Sequence, residues 1–325
     1  FMQYRHEPSL LRTMKENGYH VWMNDRNDFL PAQVPGVFSE YCDEYYIPND
    51  LKKLPEPVKV NYRGKLGDDT YYSFFVGEVN TDENGIYYDS DASAVKALSE
   101  RIRQGVKDKP LCAFLGLLVP HPEYLAEQPF FGAIDRSKLL DRIELENPSG
   151  KSKMLAGLRE IYGIMDWPED RFDELRATYL AMCMKADNYL GEIVRALKDA
   201  GIYDDTLIIF LSDHGDYTGD YDVVEKAQNT FEDCITNVPL VIKPPSWAKV
   251  KPGVNTTLTE LVDMYATVLD YTDTTAPETH FGHSLKDVIA GDVVEHREYV
   301  FCEGGRRLDE HHCNSAAAGT DETSI

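Results

Sequence analysis

The chain has no run approaching the ~18 consecutive apolar residues of a membrane-spanning helix, so no segment reads as a span. It is short of positive charge: 33 Lys and Arg stand against 56 Asp and Glu, a formal net charge of −23. Such a surface repels the phosphates of nucleic acid and of anionic membranes, and neither is expected as a partner. A small anionic substrate meets the same repulsion unless its site gathers cations locally. The six cysteines (42, 112, 183, 234, 302 and 313) show no C-x-x-C spacing. A disulfide framework is not expected in so large a core, and Cys112 and Cys183, in apolar segments, read as buried free thiols. His311-His312-Cys313 has a metal-like composition without a second ligand cluster, and reads as part of a tail. There is no internal repeat. Phe1 does not open a signal peptide, because Arg5, His6 and Glu7 interrupt the start. A leader would precede Phe1, so both the compartment (cytoplasmic, or periplasmic or secreted) and the oligomeric state stay open at this level.

What is present is enough for a globular core. The chain has 325 residues, a hydrophobic fraction of 42% and 20 tyrosines, which suits one large domain or one and a half. Strand and helix signals alternate along it. Ser9 to Asn17 is a short amphipathic helix closed by Gly18, and Tyr19 to Met23 is the strand after it. Residues 31–70 carry five prolines with little periodicity and read as a long loop over one face. Tyr71 to Val79 is a strand, Ala92 to Gln104 a helix and Leu111 to Val119 a buried strand that ends at Pro120-His121-Pro122. The strongest helix runs from Pro168 to Ala200, with Asp166 and Glu169 as a capping-box-like start and Gly201 as its stop. Its stripe of Leu175, Tyr179, Met182, Ala186, Leu190, Ile193 and Leu197 is a core face. Asn237 to Lys243 adds a strand, Leu258 to Leu269 and Leu285 to Ala290 helices, and Arg297 to Cys302 a last strand.

The chemistry collects at strand ends. Leu207 to Leu211 reads as a strand buried on both faces, as in a parallel sheet, and stops at Ser212-Asp213-His214-Gly215-Asp216. In open α/β sheets ligands bind beyond the carboxyl ends of the strands. A carboxylate beside an imidazole can hold a divalent cation there, and Lys226 can face an anion. Arg26 follows the first strand and His121 another, so a doubly wound sheet would bring all of them to one edge. Plainer readings exist for each alone: His121 as a loop histidine between prolines, Lys226 as a solvated lysine, Asp213 as a cap.

The segments Ser212-Asp-His-Gly-Asp216, Glu225-Lys226 and Asn237-Val-Pro-Leu-Val-Ile-Lys243 resemble the C-terminal half of the sulfatase catalytic domain, in the alkaline-phosphatase-like superfamily. Leu10 to His20 looks like the helix and strand that follow the nucleophile in that family, and Pro120-His121-Pro122 is similar to its substrate-histidine motif. The resemblance runs from about residue 3 to about residue 305. It implies an α/β, alkaline-phosphatase-like sandwich: a mixed, mostly parallel sheet flanked by helices, lacking the first strand region. Residues 1–295 would form a partial catalytic domain and 296–325 the start of a C-terminal subdomain or a mobile tail.

The resemblance further implies Asp213 and His214 as two ligands of Ca2+, with Mg2+ or another divalent cation as the alternative, His standing where many members have Asn. Lys226 and His121 would be the catalytic pair, contacting the sulfate and its leaving oxygen, and His121 would protonate the departing alcohol. Arg26, in Asp25-Arg26 where the family has Gly-Lys, would bind sulfate bidentately without being equivalent to Lys. Asp28 stands where a His is often found. The formylglycine motif, C-x-P-x-R or C-x-A-x-R, is absent; Cys302-Glu-Gly-Gly-Arg306 has the Arg spacing only. The expectation is therefore a parent sulfuric ester hydrolase with formylglycine upstream of Phe1, acting on a sulfated small molecule or saccharide, while this chain alone is inactive. The alternatives are a phosphodiesterase or phosphonate hydrolase of the same superfamily, and a non-catalytic anion-binding domain.

Overall fold

The computed structural model describes residues 7, 9–27, 29–30, 34–48, 74–81, 89–105, 108–144, 151–227, 229–277 and 279–302. Asp28, the stretches 31–33 and 49–73 and the tail 303–325, with His311, His312 and Cys313, lie outside the described residues. The rest is an α/β arrangement in which small sheets, mostly parallel, are flanked by helices.

Helix α1 (Leu10–Glu16) ends at Asn17, where Gly18 takes φ +89° and turns the chain into strand β1 (His20–Asn24). Val21, Trp22 and Met23 are buried, as a central strand requires. Helix α2 (Phe38–Tyr41) and strand β2 (Glu44–Tyr46) follow, inside the stretch expected to be a loop. These elements are too short to show a periodicity, and β2 exists because it pairs in parallel with β1. Strand β3 (Phe75–Val79) precedes helix α3 (Ser90–Gln104), whose start is set by Asp89 accepting the Ala92 N–H at 2.8 Å. Strand β4 (Leu111–Phe114) lies parallel to β1 on the side opposite β2.

The expected strand from Leu111 to Val119 is thus cut short. The Asn24 side chain holds Gly116 at both its carbonyl, 2.7 Å, and its N–H, 2.9 Å, so the ladder cannot continue. Strand β5 (Tyr124–Glu127), parallel to β3, helix α4 (Phe130–Ala133) and helix α5 (Lys153–Tyr162) follow, none of them marked by a sequence pattern. Helix α6 (Glu169–Asp199) is the expected long helix; Pro168 caps it and no side chain from Asp166 does. Its Phe172, Leu175, Met182, Ala186 and Leu197 are buried, each large apolar one contributing roughly 1.5–3 kcal/mol.

Strand β6 (Ile208–Leu211), helix α7 (Asp233–Thr236) and strand β7 (Leu240–Lys243) come next. Here the expectation of a parallel strand buried on both faces fails. β6 pairs antiparallel with β7, its residues are half-buried, and Leu211 is exposed. Its apolar run reflects helices on both faces, not strands on both edges. Helix α8 (Asp263–Tyr271) starts five residues later than its apolar pattern suggested, and helix α9 (Lys286–Ala290) closes the described fold. Arg297 to Cys302 is not a strand: Arg297 binds Asp263 and the Phe301 N–H is given to Glu260, so this backbone forms no ladder.

β4 and β6 lie between the same two helical layers. On one side Leu111 and Leu115 pack with Ile208 against Leu98, Ala196 and Leu197 of α3 and α6. On the other, Cys112 joins a cluster containing Leu269 of α8, and Ile209 one containing Met264 of the same helix. Yet β4 pairs only with β1, and β6 only with β7, among the described residues. Ala113, Phe114 and Leu211 are exposed. Five cysteines in the described residues are free thiols, and burial pushes those of Cys42, Cys112 and Cys183 up to about 11. No helix among the described residues is long and apolar enough to cross a membrane.

Candidate active site

Three chain segments converge beyond the carboxyl ends of β4 and β6. The first carries His121. Its Nδ1 is 2.6 Å from the Pro122 carbonyl, a contact that requires the proton on Nδ1 and leaves the Nε2 lone pair facing out. That lone pair receives the Lys226 ammonium at 2.7 Å. Lys226 lies 105 residues away in sequence, and both side chains are one-third exposed, within reach of a ligand. The Glu225 carboxylate completes the group, 3.5 Å from Lys226 Nζ and 3.8 Å from His121 Nε2.

The second segment is Ser212 to Asp216. Ser212 Oγ donates to the His214 carbonyl at 2.6 Å, and the His214 N–H donates to Asp213 Oδ1 at 3.0 Å. His214 Nδ1 sits 2.8 Å from the Gly215 carbonyl. As in His121, this places the proton on Nδ1 and leaves Nε2 as the donor atom for a ligand. Asp213 Oδ2 is 3.6 Å from that Nε2, and the Asp213 side chain is 83% exposed. The two imidazoles meet edge to face with centroids 6.4 Å apart. Gly215 is required here: a Cβ would lie 1.9 Å from the Cys234 carbonyl oxygen, since the segment runs against α7.

Asp213 and His214 therefore fit a divalent cation as two adjacent donors, one hard oxygen and one imidazole nitrogen. Two donors are well short of the roughly six to eight ligands that Ca2+ takes. Among the described residues no three His, Cys, Asp or Glu side chains are gathered as a metal site.

The third segment, residues 216–226, carries Lys226 on a tightly held loop. Thr218, Tyr221, Asp222 and Glu225 all have positive φ, between +47° and +61°, conformations that need support from their surroundings. Asp222 supplies it, buried between Arg142, at 2.7 Å, and Arg159. Under the loop, the buried Tyr124 hydroxyl donates to Asp216 at 2.7 Å and accepts the Glu225 N–H at 2.8 Å. Burial pushes the Asp216 carboxyl up to about 6, against the lowering effect of Tyr124 and the Thr218 N–H. Tyr124→Phe removes the Glu225 N–H's acceptor and leaves Asp216 with the Thr218 N–H at 2.8 Å, with an expected loss of about 1–3 kcal/mol in urea unfolding; a loss below about 0.5 kcal/mol would mean the bridge holds nothing.

Arg26 occupies the same edge, at the end of β1. It packs on Gly116, where a Cβ would come within 2.8 Å of the Arg26 Cβ. That contact belongs to the β4 exit and not to the Lys226–His121 pair. Of the expected residues, His121, Lys226, Asp213 and His214 come together, while the contact given for Arg26 is with Gly116. Glu225 entered the sequence reasoning only as the neighbour of Lys226 in its motif, and Tyr124 was not singled out. The left-handed loop that places Glu225 leaves no periodic signal, and Tyr124 lies on a four-residue strand too short to show one.

The sequence matches the sulfatase family model over residues 2–274. The chain belongs to the sulfatase family. Among curated sulfatases it is similar to arylsulfatase K of Xenopus laevis, 29% identical over 198 residues that cover 56% of this chain and 36% of that protein. It is also similar to the choline-sulfatase of Rhizobium meliloti (strain 1021), 26% identical over 310 residues, 91% of this chain and 58% of that protein. The chain thus spans between about a third and three-fifths of these relatives. Its fold matches the crystal structure of a phosphonate monoester hydrolase from Agrobacterium radiobacter with a TM-score of 0.63, at 20% identity, covering 91% of this chain and 64% of the other. The architecture is accordingly alkaline-phosphatase-like, as the resemblance implied.

Proposed function

We propose that the whole protein is a sulfuric ester hydrolase acting on a sulfated small molecule or saccharide, and that this chain supplies the leaving-group half of its active site. The carrying observation is the Lys226–His121 pair, 2.7 Å apart beside Asp213 and His214. A sulfate oxygen docks against the N–H groups of Lys226 not given to His121, and Arg26 adds positive charge at the same edge. As the S–O bond to the alcohol breaks, its electron pair stays on the departing oxygen. The proton of the Lys226–His121 hydrogen bond is delivered to that oxygen. Asp213 and His214 would hold a divalent cation, Ca2+ or another, which when bound draws charge from the sulfate oxygens. This local cluster of cations offsets the repulsion that a chain of net charge −23 presents to an anion.

The nucleophile on this reading is a formylglycine on a segment upstream of Phe1, and the chain by itself does not turn over. Peptide mapping of the native protein by mass spectrometry tests it. A cysteine in C-x-P-x-R or C-x-A-x-R context, lighter than encoded because it is an aldehyde, supports the sulfatase reading. A Ser or Thr in its place moves the chemistry to phosphodiesters or phosphonates. A native chain that begins at Phe1 leaves an anion-binding domain. In the native enzyme, Lys226→Ala should lower kcat/KM for a sulfate ester on the order of 10²-fold, and His121→Ala should add little to it. Full additivity would separate the two residues and sink the pair.

A further inference from the structure

Asp91 is the second residue of α3 and is buried, yet its carboxylate points out of the helix to a distant strand end. It accepts the Leu118 N–H at 2.9 and 2.8 Å on its two oxygens, and the Val119 N–H at 2.9 Å. Those are the last two N–H groups before Pro120, which has none to give. His121 then closes the turn, its own N–H donating to the Leu118 carbonyl at 2.7 Å. One carboxylate thus fixes the first two residues of the four-residue turn that ends in His121.

The far end of the same segment is held from the same place. Glu127, at the end of β5, binds the buried Lys185 at 3.0 Å, and Lys185 binds Asp89, the cap of α3, at 2.8 Å. Residues 118–127 are therefore gripped at the front by Asp91 and at the back by Lys185, both rooted where α3 meets α6. Tyr124 anchors the middle. His121 owes its place to this frame and to its own carbonyl contact.

We propose that Asp91 is a positioning residue, setting His121 Nε2 against Lys226 Nζ by holding the backbone N–H groups of Leu118 and Val119. The inference rests on the reading of His121 as the group that faces the departing oxygen. Charge-assisted bonds of this kind are the stronger class, and Oδ2 takes both N–H groups while Oδ1 shares that of Leu118. In Asp91→Asn an amide oxygen in the place of Oδ2 can still take both donors, but without the charge, and the NH2 in the place of Oδ1 meets the Leu118 N–H donor to donor, which loosens the turn.

The test reads His121 directly, by long-range 1H–15N NMR of its imidazole in the chain of residues 1–325. The unaltered chain should show one tautomer, protonated on Nδ1. Asp91→Asn should turn this into a tautomer mixture, while the His214 signals stay in place and urea unfolding stays cooperative. A folded Asp91→Asn chain with an unchanged His121 overturns the proposal. Should the Asn variant fail to fold, Asp91→Glu decides by the same signals, since it keeps the charge but moves the oxygens by about 1.5 Å, one carbon–carbon bond. In the native enzyme, Asp91→Asn should lower kcat tenfold to a hundredfold, on the order expected for a misplaced catalytic group, with KM changed by less than about threefold. Absence of any sulfate-ester turnover in the native enzyme would refute the functional reading, while the His121 tautomer would still decide the role of Asp91.

Discussion

Lys185→Met is expected to destabilise the fold by about 3–5 kcal/mol, the loss typical of breaking a buried ion pair from one side. The Lys185 side chain is 3% exposed, and Glu127, its partner at 3.0 Å, is 7% exposed. Removing the ammonium strands the Glu127 carboxylate where water cannot reach it. Asp89 loses the same partner but keeps the Ala92 N–H and the Tyr189 hydroxyl, so it contributes less to the damage. The urea midpoint measures the loss. Because the penalty is the stranded charge and not the missing methylenes, Glu127→Gln added to Lys185→Met should recover part of it. A double variant less stable than the single one would place the cost in packing instead.

Asp263→Asn should cost a similar amount, and its effect should fade in acid. Asp263 is fully buried at the start of α8. It takes both the Nε atom, at 3.0 Å, and the NH2 group of Arg297, the His283 N–H at 2.8 Å, the Glu260 N–H at 2.9 Å and His296 Nε2 at 3.1 Å. Burial alone would raise its pKa; these donors, Arg297 first, outweigh it and hold the carboxyl at about 2. A depressed carboxyl pKa stabilises the folded state above the unfolded value, about 3.8, and that contribution is lost as pH falls through the folded value. The difference, nearly two pH units, corresponds to roughly 2 kcal/mol. The stability gap between the unaltered chain and Asp263→Asn, measured by urea unfolding, should therefore narrow as pH drops from about 4 towards 2. A constant gap would show that the Arg297 contact acts through shape alone.

The residues that carry chemistry were legible because they sit at strand ends inside local motifs. Asp213, His214 and Lys226 fall within a dozen or so positions after one apolar run, and His121 is marked by the prolines on either side. Their proximity was inferred from topology, and the structure places Lys226 Nζ 2.7 Å from His121 Nε2 across 105 residues. The supporting groups were not legible. Asp91 looks like any acidic residue in the first turn of a helix, where it favours the dipole anyway. Its real partners are 27 and 28 residues distant. β2 and β5 were missed because three- and four-residue strands form through their neighbours and not through a pattern of their own. β6 shows the opposite error. Five apolar residues read as two-sided burial, but burial by helices above and below says nothing of what lies at either edge.

The edges of β4 and β6, unpaired among the described residues, also govern how this polypeptide behaves when handled in isolation. Two rows of free backbone donors and acceptors, with Phe114 and Leu211 exposed beside them, offer a template for any extended segment in solution. Other copies supply such segments at high protein concentration, and the strong negative charge opposes their approach only while salt is low. Light scattering of residues 1–325 should accordingly grow with both concentration and ionic strength, and a short apolar peptide of high β-propensity should suppress it by occupying the edges first.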